Sequence, residues 1–85
     1  MTTEGAPRRE ARVLEHIARQ LVDDPAAVVV TEKPLSDDDV RLHLAVGEAD
    51  VGKVIGRGGR MAKAIRALLK VVATRDGTRV DLEID

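Results

Sequence analysis

Three glycines fall within four positions, at Gly56, Gly58 and Gly59, between a short apolar run and a long amphipathic one. Removing three Cβ atoms in so short a span lets backbone N–H groups approach another backbone closely. The run that follows reads as a helix, and its first turn brings unsatisfied N–H groups and a partial positive charge to the loop. Arg57 and Arg60 add two full charges there. The stretch is therefore suited to hold a phosphate.

Two familiar phosphate motifs fail on this sequence. Gly47-Glu48-Ala49-Asp50-Val51-Gly52-Lys53-Val54 follows most of a Walker A pattern, but Val54 stands where a hydroxyl must reach Mg²⁺. Glu48 and Asp50 would also place two negative charges in the cradle. The dinucleotide fingerprint fails at Met61, where its third glycine belongs.

Composition removes further classes. The 85 residues make one small domain built on Ala, Val, Leu and Ile, with no aromatic residue. Domains that stack bases on aromatic rings are excluded. Without cysteine there is no disulfide and no thiolate metal site. Two separated histidines, His16 and His43, and the single serine Ser36 offer no nucleophile–base pair, so no enzyme, cofactor or small-molecule substrate is expected. No signal peptide or long apolar run is present, which predicts a cytoplasmic chain with no membrane partner.

The net charge of −1 hides a strong segregation. Residues 1–50 carry 6 Lys/Arg and 11 Asp/Glu, residues 51–75 carry 7 Lys/Arg and no acid, and residues 76–85 carry 1 and 4. All the positive bias lies on the glycine loop and its flanking helices, which is the footprint of a polyanion site.

In chain order, residues 1–7 read as a flexible tail and 8–85 as the folded domain. Leu14, Ile17, Ala18 and Leu21 repeat at helical spacing, with Val13 and Val22 at the margins and His16 on the polar side. Asp24-Pro25 stops that helix. Val28 to Glu32 reads as a strand, Pro34 to Asp39 as a polar turn with Asp37, Asp38 and Asp39 at an exposed tip, and Val40 to Val46 as a half-buried strand. Asp50 is placed to cap a short helix, Val51 to Ile55. A helix then runs from Gly59 to Ala73, with Met61, Ile65, Leu68 and Val72 on its core side, Leu69 beside them, and Lys63, Arg66 and Lys70 nearly opposite. Arg75-Asp76-Gly77 turns into a last strand, Thr78 to Ile84. The helical pair joins two strands of one sheet, which predicts a parallel pairing.

The order α-β-β-α-α-β, with Gly-x-x-Gly between the paired helices, resembles a type II KH domain over residues 8 to 84. The string Asp50-Val51-Gly52-Lys53-Val54-Ile55-Gly56, with Gly59-Arg60 and Ala62-Lys63-Ala64-Ile65-Arg66, is similar to the small bacterial KH proteins of the KhpA family. Gly58 departs from it, since that family often carries a polar residue there. The resemblance implies an α+β fold, a three-stranded mixed sheet covered on one face by helices. It implies single-stranded RNA as partner, bound through the loop, with a role as RNA chaperone or post-transcriptional regulator, and in some bacteria a link to cell shape. Gly56, Arg57, Gly58 and Gly59 would hold the RNA backbone. Arg57, Arg60, Lys53 and Lys63 would supply charge to phosphates. Ile55 or Val54 would floor an apolar groove, bordered on its other side by strand 40–46.

The resemblance also implies a homodimer, or a heterodimer with a larger Jag-type KH protein. Ala64, Ala67, Leu68 and Val71 form an apolar edge suited to a dimer seam or to packing on the first helix. A protein-interaction module with a degenerate KH fold and a single-stranded DNA binder are the alternatives.

Overall fold

The computed structural model describes residues 8–85; the tail expected over residues 1–7 lies outside the described residues. Three helices and three strands follow in the order α1 (Arg9–Leu21), β1 (Val29–Ser36), β2 (Asp39–Ala45), α2 (Val51–Ile55), α3 (Arg60–Arg75) and β3 (Arg79–Ile84). The sheet order is β1-β2-β3. β1 pairs antiparallel to β2, and β2 pairs parallel to β3, as expected for strands joined by a helical crossover.

The sheet has one apolar face. Val40, Leu42 and Leu44 of the central strand are fully buried and pack with Leu14 and Ala18 of α1, Val54 of α2 and Ile65 and Leu69 of α3. The alternating residues Arg41 and His43 lie on the opposite face, where Arg41 meets Asp81 at 4.0 Å and Glu83 at 3.9 Å. Burying a Leu or Val side chain stabilises by about 1.5–3 kcal/mol, so a core of aliphatic side chains holds the sheet without aromatic help.

Three expectations are corrected. First, β1 runs on through Pro34 to Ser36, with Pro34 opposite Val40 and an irregularity between Pro34 and Ser36. Proline is tolerated because β1 is an edge strand and one of its sides needs no N–H. The polar turn shrinks to Asp37 and Asp38. Second, the buried face of α3 is Ala62, Ile65, Leu69 and Ala73, with Met61 and Val72 half-buried. Leu68, expected on the core side, is 44% exposed. Third, Asp50 makes no side-chain cap to α2; its carboxylate is used elsewhere, as described below.

One buried acid, Glu10, and one half-buried acid, Glu32, have partners in neighbouring elements. Glu10, in the first turn of α1, accepts the Thr78 hydroxyl at 2.6 Å, tying α1 to the start of β3. Glu32 of β1 accepts the Arg8 amide at 2.8 Å, tying the other side of that turn.

Candidate nucleic-acid interface

The loop between α2 and α3 is built from three left-handed glycines with different tasks. Gly56 sits at φ 77, ψ 169, and its amide closes α2 on the Gly52 carbonyl at 2.8 Å. A Cβ there would lie 2.7 Å from the Met61 Cβ and 2.8 Å from the Met61 nitrogen. Gly56 is thus required by close approach within the fold itself. Gly58 (φ 63, ψ 18) and Gly59 (φ 78, ψ 12) face open space, with no atom within 4 Å of a built Cβ. They leave the outer side of the loop bare for something external.

Hydrogen bonding gives the loop a direction. The Gly59 amide turns inward to the Gly56 carbonyl at 3.1 Å, and the Arg60 amide turns to the Arg57 carbonyl. The exposed amides of Arg57 and Gly58 have no backbone acceptor among the described residues. Gly59 caps α3 with no side chain, so the first turn of that helix also presents N–H groups. Arg57, Arg60 and Lys63 are exposed and form no ion pair among the described residues. The loop and the first turn of α3 thus carry amides without a backbone acceptor and three exposed cations within seven residues, 57 to 63.

Lys53 is placed differently. Its ammonium bonds the Asp23 carboxylate and lies 3.5 Å from Asp50. Asp50 is 3% exposed, and its two oxygens accept the amides of Asp23 at 3.2 Å and Asp24 at 3.1 Å. The Asp23 amide is the main cause that holds the Asp50 carboxyl below its ordinary 3.8; burial opposes it, while the Asp24 amide and the Lys53 charge reinforce it. The Asp23 contact likewise pushes Lys53 above 10.5 against the cost of burial. This cluster clips the segment after α1 to the start of α2. Asp50 acts at long range, across 27 residues, where sequence reading saw a local cap.

The structure separates Val54 from Ile55. Val54 is fully buried in the core and reaches no surface, whereas Ile55 is 37% exposed beside the loop. β2 cannot border a groove with open backbone groups, because both its edges are paired. The open edge beside α3 belongs to β3. Arg79 and Asp85 donate to the Asp38 and Leu44 carbonyls of the β2 side, so the even residues Val80, Leu82 and Ile84 turn their N–H and C=O outward. An open groove of about 870 Å³ runs between this edge and α3, with Arg66, Leu69, Lys70, Val80 and Leu82 among its walls. Arg66 reaches across it to the Leu82 carbonyl at 3.4 Å.

The remaining candidate residues, Ala64, Ala67, Leu68 and Val71, all stand exposed on α3, so none is buried against α1. Among the described residues no group of His, Asp and Glu side chains is arranged to hold a metal ion.

Comparison with known proteins places this geometry. A family model described as KhpA/KhpB, KH domain, matches residues 11–84. The chain is 47% identical over 75 residues to the RNA-binding protein KhpA of Treponema pallidum, covering 88% of this chain and 92% of that one. It is 45% identical over 73 residues to the RNA-binding protein KhpA of Clostridium acetobutylicum, covering 86% and 96%. Against the RNA-binding protein KhpA of Chlamydia trachomatis the identity is 44% over 71 residues, covering 84% and 90%.

Proposed function

The chain belongs to the KhpA/KhpB KH-domain family, and on that premise we propose that it binds single-stranded RNA by clamping the sugar–phosphate backbone on Gly56-Arg57-Gly58-Gly59. The observation that carries this reading is the adjacency, within residues 57 to 63, of the Arg57 and Gly58 amides, which have no backbone acceptor, and of Arg57, Arg60 and Lys63, which form no ion pair among the described residues. RNA phosphates take the amides, and the cations set the depth of the electrostatic well. Ile55 meets the first base. The groove between α3 and β3 takes the bases beyond it, where the outward backbone groups of Val80 and Ile84 pair with base edges. Lys53 orients α2 through Asp50 and Asp23 before it contributes any charge to RNA.

With no aromatic ring to stack on, one clamp of about four nucleotides binds weakly and with slight sequence preference. Function as an RNA chaperone or post-transcriptional regulator in the cytoplasm then calls for more than one clamp. The exposed Ala64, Ala67, Leu68 and Val71 face of α3 supplies the means, as a seam to a second copy or to a larger Jag-type KH protein. The reading is one of binding without catalysis.

The direct test is an NMR titration with short oligoribonucleotides, following backbone amides. The amides of Arg57, Gly58 and Gly59 shift first and most, and the Arg57→Asp/Gly58→Asp double variant, folded by circular dichroism, shows no shift. Unmoved loop amides would exclude the clamp and favour a protein-docking role. The same titration with oligodeoxyribonucleotides decides between RNA and single-stranded DNA.

A further inference from the structure

We infer that RNA binding and self-association are positively coupled, because an α3-to-α3 seam sets arginine against arginine at both ends and RNA phosphate neutralises one of each pair. The inference rests on the reading above that α3 joins two copies.

The seam's pattern selects a second copy in antiparallel orientation. Along α3 the exposed apolar residues run small, small, large, large: Ala64, Ala67, Leu68, Val71. A reversed copy centred between residues 67 and 68 places Ala64 against Val71 and Ala67 against Leu68. Every layer then matches a small side chain with a branched one, which fills the interface without a void. A parallel copy would set Ala64 on Ala64 and Leu68 on Leu68, with a gap and a clash. A shallow depression of roughly 370 Å³, lined by Ala67, Lys70, Val71, Thr74 and Arg75, lies on this face, opposite the small Ala64 of the second copy and with Leu68 of that copy at its edge.

The same centre of symmetry maps Arg60 onto Arg75 of the second copy, at each end of the seam. Neither arginine forms an ion pair among the described residues, residues 51–75 contain no acid, and the adjacent Asp76 is engaged by Arg9 at 3.6 Å. Lys63 and Lys70 line one flank and add to the repulsion. In dilute salt the apolar layers must work against these like charges. Arg60 is also a clamp residue. A phosphate seated beside it cancels half of each opposed pair, so RNA tightens the dimer, and by linkage the dimer tightens RNA.

Geometry keeps this effect separate from bridging. Gly58 lies 9.5 residues from the centre of symmetry, about 14 Å along the helix, so the two loops sit roughly 29 Å apart at opposite ends. A hexanucleotide with about four nucleotides held in one clamp leaves about two, too few to reach the other loop.

Sedimentation equilibrium of the full chain tests the coupling, at about 50 and about 500 mM NaCl, and at the lower salt with hexauridylate. The dimer dissociation constant is expected to fall about tenfold on raising the salt, and by a similar factor on adding hexauridylate in dilute salt. This salt response is opposite in sign to that of RNA binding. Arg75→Glu lies outside the clamp and places a carboxylate opposite Arg60. It should dimerise more tightly than wild type in dilute salt and loosen as salt rises. A wild-type constant indifferent to both salt and hexauridylate overturns the coupling, as does an Arg75→Glu protein with the wild-type salt response. A chain that stays monomeric in every condition removes the seam itself, a result distinct from a dimer without coupling.

Discussion

Gly56→Ala is the substitution whose cost the structure defines best. The backbone at φ 77, ψ 169 lies in a region occupied almost only by glycine, and holding a non-glycine residue there costs about 1–3 kcal/mol. The new methyl would lie 2.7 Å from the Met61 Cβ and 2.8 Å from the Met61 nitrogen. The nitrogen belongs to the first turn of α3, so the contact cannot be relieved by a side-chain rotation, and overpacking of this kind adds about 1–3 kcal/mol. A total near 3 kcal/mol is a large share of the roughly 4–13 kcal/mol expected for a domain of this length. At a urea slope of about 1 kcal/mol/M, the unfolding midpoint should drop by roughly 3 M. The chain has no Trp, Tyr or Phe, so the transition must be followed by far-ultraviolet circular dichroism or by amide NMR.

The control is Gly58→Ala. Its left-handed φ of 63 costs about 1–2 kcal/mol, and its Cβ meets nothing. Gly58→Asn should cost less, because asparagine tolerates that region. The argument therefore demands an order, with Gly56→Ala much less stable than Gly58→Ala, and Gly58→Asn nearest to wild type. Equal midpoints for Gly56→Ala and Gly58→Ala would refute the claim that one glycine serves the fold and the other the ligand.

Three further outcomes follow from the site. The three unpaired cations Arg57, Arg60 and Lys63 predict that log K for a short RNA falls with log salt at a slope near −2.1, and at about −1.4 for Arg57→Gln; a wild-type slope near −2.8 would mean that Lys53 leaves its carboxylates to join them. Asp50 has a folded-state pKa below its ordinary 3.8, so its stabilising contribution is complete above that value and is lost as pH falls from there through the folded pKa. Asp50→Asn should accordingly lower the melting temperature near neutral pH and flatten its decline in acid, and parallel melting curves for both proteins between about pH 6 and pH 2 would argue against the clip. Leu68→Glu should remove self-association and bind hexauridylate within about twofold of wild type compared at protein dilutions where wild type is monomeric, because Leu68 is exposed and lies away from the loop; an unchanged sedimentation profile would clear α3 of that role.

The element order was readable because each element announces itself locally. Alternation in Val40, Leu42 and Leu44, the Asp24-Pro25 stop and the glycine cluster each rest on a few adjacent residues, and the structure places α2 at Val51–Ile55 as expected. Pairings across the chain were not readable in this way. Asp50 is three residues from Lys53 but bonds amides 26 and 27 residues away, and nothing near it in sequence distinguishes a local cap from a long-range clip. Glu10 hides for the same reason, since its partner Thr78 lies 68 residues on. Pro34 misled because a proline ends a central strand but not an edge one, and the edge is a property of the whole sheet.

α3 failed differently, and more usefully. Its apolar residues cover about two-thirds of the helix circumference, so periodicity offers more than one stripe to bury. Weighting by size selects Met61, Ile65, Leu68 and Val72. The fold buries Ala62, Ile65, Leu69 and Ala73 instead, because a helix laid close on a sheet needs small side chains at the contact. Once Ala62 and Ala73 take the inner face, Leu68 and Val71 must face water at 44% and 55% exposure. A lone domain gains nothing from branched side chains there, and a serine or glutamate would serve as well. The ambiguity in the helical pattern and the surplus apolar face thus have one origin: α3 carries two apolar stripes, of which the domain buries only one.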